Sequence, residues 1–217
     1  DIVFYDDCFF FKLQTVHSDT KKFCQLLIYE RIPVSWQMEI RVDLFQKLNK
    51  DDIFYLEKSG CRQINLGIES TITEEINYYG KQVPFIGLKE KIDYLHNNSK
   101  IKVAGTFILG GKYATEQTVK SIIADSVDMS LDYAHYSPLF VYPGTPIYQD
   151  YFKNNDEHAW LDFIVKDDWP WGEIVYENEY LNRNKLIELV EYAYKVFYQN
   201  SKYSNEKMIT DRYNLKY

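Results

Sequence analysis

Cysteine is scarce in this chain: three residues, Cys8, Cys24 and Cys61, among 217. An odd number at wide spacing is neither a disulfide framework nor a compact metal motif, and it fits a reducing cytoplasm. The four histidines, His17, His96, His135 and His158, form no H-x-x-H pair, which excludes a zinc helix of that kind. There is no G-x-S-x-G elbow and no Walker loop, and Gly110-Gly111-Lys112 has the wrong spacing for a phosphate loop. No apolar run reaches the roughly 18 residues that a membrane helix needs, and no signal-peptide pattern stands at the start. Positive charge is also short. Lys and Arg total 25 against 32 Asp and Glu, and the net charge of −7 argues against a nucleic-acid or anionic-membrane surface. Finally, no Met opens the chain. It begins inside a strand-like run, Asp1-Ile2-Val3-Phe4-Tyr5, and reads as a fragment whose upstream partner has been cut off.

What is present is ordinary in bulk, with 46% hydrophobic and 26% charged residues and enough length for one sizeable core. Aromatics, at 17% with 20 Tyr, are in excess. Five strand–helix units follow one another at about 30-residue spacing, the length of a βα repeat. Strand-like runs are Ile2 to Tyr5, Ser35 to Arg41, Arg62 to Ser70, Ile101 to Leu109, and Leu131 to Val141 with a break at Pro138. Helices are expected behind Ser18-Asp19-Thr20 with Phe23, Leu26 and Leu27 on one face, and over Asp51 to Lys58, closed by Gly60. Others are expected at Thr73-Glu74-Glu75, along the stripe Phe85, Leu88, Ile92 and Leu95, from Thr115-Glu116 through Val119, Ile122, Ile123 and Ser126, and over Pro146 to Lys153. Residues 154–217 read differently. An irregular acidic stretch with Trp169-Pro170-Trp171 is followed by an amphipathic helix from Asn184 to Tyr198.

The run from Arg62 to Ser70 organises the rest. Ile64, Leu66 and Ile68 alternate with Gln63, Asn65, Gly67 and Glu69, so the two faces differ in polarity. Parallel strands buried on both faces read as continuous apolar runs. This one has either a face lining a wet cavity or the solvated face of an edge strand. Ser35 to Arg41 alternates in the same way, with Arg41 at its end. In α/β folds ligands bind at the carboxyl ends of the strands. Those ends carry Asp6-Asp7, Arg41, Glu69, Gly110-Gly111 and Tyr142-Pro143-Gly144-Thr145. An arginine and carboxylates around a cavity suit a zwitterion, and Gly67 and Gly110 let a ligand lie against backbone. The competing reading pairs Arg41 with Glu69 structurally. His135 reads as a structural or lumen histidine ahead of a catalytic acid or base.

The ordered set Phe4-Tyr5-Asp6-Asp7, Trp36…Arg41-Val42-Asp43, Gly60-Cys61…Gly67-Ile68-Glu69-Ser70, Gly80-Lys81, Gly105…Gly110 and Tyr142-Pro143-Gly144-Thr145 resembles the radical S-adenosylmethionine (SAM) superfamily. Within it, the pattern is similar to the Elp3/MiaB-like branch, which includes cobalamin-associated members. The resemblance covers about residues 1–150. It implies an α/β fold, a partial (βα)6 TIM-like barrel missing its first strand (residues 1–153), followed by a C-terminal helical extension (154–217). It also implies reductive cleavage of SAM by an electron from a 4Fe-4S cluster, giving a 5′-deoxyadenosyl radical that abstracts hydrogen from a substrate. The SAM contacts carried over are Asp6 and Asp7 for the amino group, Arg41, Glu69 for the ribose or methionine part, Lys81 for the carboxylate, and Leu109 and Gly110 beside the adenine. Implied partners are the upstream part of the same protein, an electron donor such as flavodoxin or ferredoxin, a small-molecule or peptide substrate, and cobalamin through another domain.

The chain departs from that pattern in one defining respect: the C-x3-C-x2-C cluster loop is absent, and Cys8, Cys24 and Cys61 cannot replace one compact loop. The metal ligands are therefore not in this chain, and the fragment alone is expected to be inactive. The alternatives are a degenerate barrel that binds a ligand or partner without catalysis, and a barrel enzyme of another class.

Overall fold

In the computed structural model the described residues are 1–4, 8–10, 12–78, 80, 85–152 and 175–200. They build one five-stranded sheet in sequence order: β1 (Ile2–Val3), β2 (Trp36–Arg41), β3 (Cys61–Glu69), β4 (Lys102–Leu109) and β5 (Tyr133–Pro138). Every neighbouring pair is parallel, and the sheet curls into an α/β half-barrel, the partial TIM-like fold expected. The helices are α1 (Val16–Tyr29), α2 (Val42–Lys47), α3 (Lys50–Lys58), α4 (Thr73–Tyr78), α5 (Leu88–Asn98), α6 (Glu116–Asp128), α7 (Pro146–Tyr151) and α8 (Arg183–Asn200). Trp169-Pro170-Trp171 and His158 lie outside the described residues.

β3 is the central strand, which removes the edge-strand reading. Its Ile64, Leu66 and Ile68 are fully buried in the core between sheet and helices, each contributing roughly 1.5–3 kcal/mol of transfer free energy. The helix stripes arrive as expected. Val119, Ile122, Ile123 and Ser126 are the buried residues of α6, whose N-cap Thr115 accepts from Thr118 N. In α3, Asn49 caps the first turn and Asp52 reaches back to the Asn49 N–H at 2.8 Å.

Three expectations need correction. The fully buried residues of α1 are Val16, Thr20 and Cys24; of the expected face, Phe23 and Leu27 pack partly buried against the core while Leu26 is 54% exposed, and the helix begins behind Thr15 rather than at Ser18 to Thr20. The i, i+4, i+8 line packs its small side chains against α3, and the larger residues fall outside it. The last strand ends at Pro138, the break expected within Leu131 to Val141; Leu139 N still reaches Leu109 O at 3.1 Å, and Phe140 then bridges antiparallel to Val175. The short helix α2 is one that the periodicity did not predict.

The β5 edge of the sheet is closed by side chains of α8. The Tyr198 hydroxyl accepts from Ala134 N (3.3 Å) and donates to Ala134 O (3.1 Å), and the Tyr194 hydroxyl does the same at Tyr136 (3.1 and 3.2 Å). Four residues of helix rise about 6 Å and two residues of strand about 6.6 Å, so an i, i+4 pair of tyrosines matches an i, i+2 pair of edge residues. Edge groups left open are templates for unwanted pairing. Replacing both tyrosines by Phe is expected to cost about 0.5–1.5 kcal/mol per hydroxyl. A lowered urea midpoint with faster amide exchange at Ala134 and Tyr136 would verify this; unchanged exchange at those two amides would refute edge closure.

Candidate functional site

Lateral neighbours in a parallel sheet share a face, so the register writes out the concave surface row by row. Glu39, Asn65, Ala104 and Tyr133 form one row; Arg41, Gly67, Thr106 and His135 form the next toward the carboxyl ends. Ile108 and Ser137 follow, with Glu69 at the end of β3. The intervening rows, such as Ile40, Leu66, Gly105 and Ala134, face the buried core. His135 therefore belongs to the lumen. Its Nδ1 lies 3.1 Å from the Tyr194 hydroxyl, which also stands 3.2 Å from Tyr136 O. Thr106 donates to Leu66 O at 3.2 Å. The sequence reading missed Thr106 as a lumen residue and could not put His135 in its row, since strand offset is a tertiary property.

Glu69 carries the strain in this region. It is one of three non-glycine residues with positive φ among those described, at +68°, and the β3–β4 register slips between Gly67 and Glu69. Ser70 N donates to Ile68 O at 2.9 Å, which makes Glu69 the centre of a three-residue turn with positive φ, the rare and strained γ form. The turn folds the carboxylate back over Gly67: a Cβ placed there would meet Glu69 Oε1 at 3.0 Å. Glycine at 67 leaves room for the Glu69 head, which a Cβ would displace by a few tenths of an ångström.

Below the turn, the Ser70 hydroxyl donates to Glu75 Oε2 (2.8 Å) and accepts from Ile72 N (3.1 Å). Glu75 is 1% exposed, and its Oε1 has no hydrogen-bond partner among the described residues. Burial pushes its carboxyl up from 4.5 to about 6, offset in part by Ser70 and reinforced by Glu74. Nothing in the Thr73-Glu74-Glu75 pattern announced a buried acid.

Further round the rim, Asp150 Oδ2 accepts from the Tyr78 hydroxyl (2.9 Å) and from Lys112 Nζ (2.8 Å), and Lys112 sits 5.4 Å over the Tyr78 ring. This carboxylate ties together α4, the loop after β4, and α7. Burial and the Asp150 contact push the Tyr78 phenol well above its ordinary range.

The other residues picked from the sequence fare differently. Arg41 is held bidentately by Asp43, Nε to Oδ1 at 3.0 Å and Nη2 to Oδ2 at 2.5 Å, rather than in the Arg41–Glu69 pair held open from the sequence. Leu109 is fully buried in the core cluster. At Gly110, with φ +90°, a Cβ would stand 2.6 Å from Leu186 Cδ2, so α8 packs closely against this glycine. Asp6, Asp7 and Lys81 lie outside the described residues.

The cysteines do not suit a cluster. All three are buried and unpaired in disulfides, and no group of three His, Cys, Asp or Glu among the described residues could hold a metal. Burial raises the Cys24 thiol to about 11 and Cys61 further, which disfavours the thiolate that iron requires. Nor is any described helix long and apolar enough to cross a membrane.

No protein-family model matches the chain. Among curated proteins, an uncharacterised methyltransferase of Pyrococcus horikoshii is 27% identical over 128 residues, 58% of this chain and 27% of that protein. The anaerobic magnesium-protoporphyrin IX monomethyl ester cyclase of Cereibacter sphaeroides is 24% identical over 179 residues, 82% of this chain and 28% of that protein. The matched stretch is thus between a quarter and a third of either relative. Among solved structures, the radical SAM enzyme HemN, coproporphyrinogen III oxidase of Escherichia coli, superposes with a TM-score of 0.56 at 8% identity, over 89% of this chain and 42% of HemN. The radical SAM methyltransferase TsrM of Kitasatospora setae, solved with cobalamin and a 4Fe-4S cluster bound, gives 0.53 at 14% identity, over 65% of this chain and 29% of TsrM. These findings agree with the resemblance carried by the motifs: the half-barrel is the fold of the radical SAM enzymes.

The raised Glu75 carboxyl sets a pH dependence. Its folded pKa lies above the unfolded value, so the charged form burdens the fold above about pH 6 and the burden disappears as pH falls toward 4.5. A rise of this size corresponds to about 2 kcal/mol. Urea unfolding of the wild type and Glu75→Gln at pH 7 and pH 5 should show the wild type gaining on the variant at the lower pH; parallel behaviour of the two would exclude Glu75 as the source.

Proposed function

We propose that this chain supplies most of the catalytic barrel of a radical SAM enzyme, with its lumen holding the SAM zwitterion. The observation that carries the reading is Glu69, turned over Gly67 into the row that holds Arg41, Thr106 and His135. A carboxylate there accepts from ribose hydroxyls or an α-ammonium group, and the Arg41 fork matches a carboxylate once it is shared with Asp43. Thr106 and His135 add hydroxyl and imidazole contacts on the far side of the row. In our reading Asp6, Asp7 and Lys81 complete the amino-acid end, and Leu109 and Gly110 stand beside the adenine. When bound together, SAM and a 4Fe-4S cluster supply reductive cleavage that leads to hydrogen abstraction from a substrate. This chain's share is to bind, orient and exclude water. The cluster ligands, an electron donor of the flavodoxin or ferredoxin kind, and any cobalamin lie beyond the residues described. Relatives that act on a methyl ester and on coproporphyrinogen support an enzyme without fixing its substrate.

A second reading, a barrel that binds ligand without radical chemistry, is favoured by one observation: the thiols are buried and, at Cys24 and Cys61, held protonated. The coding sequence upstream of Asp1 separates the two, through the presence or absence of a C-x3-C-x2-C loop.

Calorimetric titration of the chain with S-adenosylhomocysteine tests the binding site itself. Glu69→Gln is expected to weaken binding about tenfold, equivalent to about 1.4 kcal/mol, and Arg41→Met by a comparable factor. A wild-type chain that takes up no such nucleoside would overturn the reading. Anaerobic reconstitution with iron and sulfide should leave these 217 residues without the broad charge-transfer absorbance, near ~400 nm, of a thiolate-ligated cluster. Its appearance would show that the chain carries its own ligands.

A further inference from the structure

The geometry at the end of β3 points to Glu75 as a positioning residue that holds Glu69 in the lumen by way of Ser70. The inference rests on the reading of Glu69 as a nucleoside contact, and it concerns how that contact is kept in place.

Two features that each oppose folding meet within seven residues. Glu69 is a β-carbon-bearing residue at φ +68°, in a strained γ-turn closed by Ser70 N to Ile68 O. Glu75 is a carboxylic acid at 1% exposure with one oxygen unpartnered among the described residues. Strain of the first kind persists only where the surroundings over-determine it, and a buried unsatisfied oxygen calls for a local reason. The Ser70 hydroxyl connects the two. It gives its one proton to Glu75 Oε2 and accepts the Ile72 N–H, so both its roles are committed to holding the chain directly after the turn. A second tether runs from Thr71 Oγ1 to Asp125 Oδ2 on α6 at 2.5 Å, half-buried where the first is fully buried. Together they clamp residues 70–72 between α4 and α6, and the residue forced to take up the remaining curvature is Glu69.

An acid at the start of a short helix has an ordinary explanation in the favourable interaction with the helix N-terminus. That role needs no burial. It would be served by Glu74, which is exposed beside it. An apolar side chain at position 75 would suit the same enclosed space better, but it would leave the Ser70 hydroxyl without the acceptor that fixes it. The raised carboxyl of Glu75 is in keeping with this, since protonation relieves its burial while leaving an oxygen for Ser70 to reach.

The test uses the full chain as wild type, Glu75→Leu, Glu75→Gln and Ser70→Ala. Three quantities are read: thermal midpoint, amide hydrogen exchange at Glu69 and Ser70, and affinity for S-adenosylhomocysteine. Glu75→Leu should keep or raise the midpoint while Ser70 loses amide protection and the nucleoside binds about tenfold more weakly. Ser70→Ala should reproduce the losses in protection and affinity, and it stands in if Glu75→Leu does not fold. Glu75→Gln, whose amide oxygen still accepts from Ser70, should retain both. Unchanged Ser70 protection in Glu75→Leu or Ser70→Ala overturns the inference whatever the ligand does. Lost protection in a chain whose wild type binds no nucleoside supports the tether and defeats the proposed function instead.

Discussion

Parallel register in strict sequence order is the constraint on which the rest of this molecule depends. Because the strands stand side by side in the order β1 to β5, each row toward the carboxyl ends collects one residue from each of β2, β3, β4 and β5, and the period of two sends alternate rows to opposite faces. One set of rows is apolar and meets the helices; the other is polar and faces the concavity. The polar face of β3 is then no anomaly. Gln63, Asn65, Gly67 and Glu69 are tolerated on a central strand because the sheet curls around them and leaves them partly accessible. A flat sheet covered by helices on both sides would have required them to be buried.

A half-barrel keeps two edges that a closed barrel would not have, and the chain treats the β5 edge with side chains in place of backbone. Tyr194 and Tyr198 each use a single hydroxyl to satisfy an N–H and a C=O, and their rings stack parallel at 6.3 Å. This explains part of the aromatic excess. Other tyrosines, Tyr78, Tyr113 and Tyr176 among them, gather where the segments after β3, β4 and β5 meet. The same helix α8 that closes the edge also drives Leu186 against Gly110. Edge closure and the shape of the rim are therefore mechanically linked through one helix.

Much of the fold was legible because its signals are local. Alternation in residues 36–41 and 62–69, the α6 stripe with its Thr115 cap, and the Pro146 helix start all follow from spacing and turn chemistry. The failures share a cause. The fully buried line of α1 through Thr20 and Cys24 follows the close approach to α3, with Phe23 and Leu27 packing partly buried beside it and Leu26 left exposed. Arg41 found Asp43 two residues away because the chain turns into α2, an element too short to show a period. Gly110 looked open in sequence and is filled by a residue 76 positions later, which no local pattern can register. The site was legible as a list of strand ends, whereas the order in which those residues stand beside one another needed the register.

The site's energetics also separate two kinds of residue that sequence treats alike. Glu39, Glu69 and Glu75 are all glutamates near strand ends, yet their environments assign them different work. Glu39 and Glu69 stand at the lumen, partly buried and open to the concavity. Glu75 is enclosed and meets the lumen only through Ser70 and the γ-turn. A site that had to bind a zwitterion gains from the first arrangement directly, since the carboxyl group is already aimed across the row. It gains from the second only if the turn's geometry is worth more than the stability forgone by burying an acid. The strained φ at Glu69 argues that it is, because relaxing that turn would swing the carboxylate off Gly67 and out of the one row in which an arginine, a hydroxyl and an imidazole stand together.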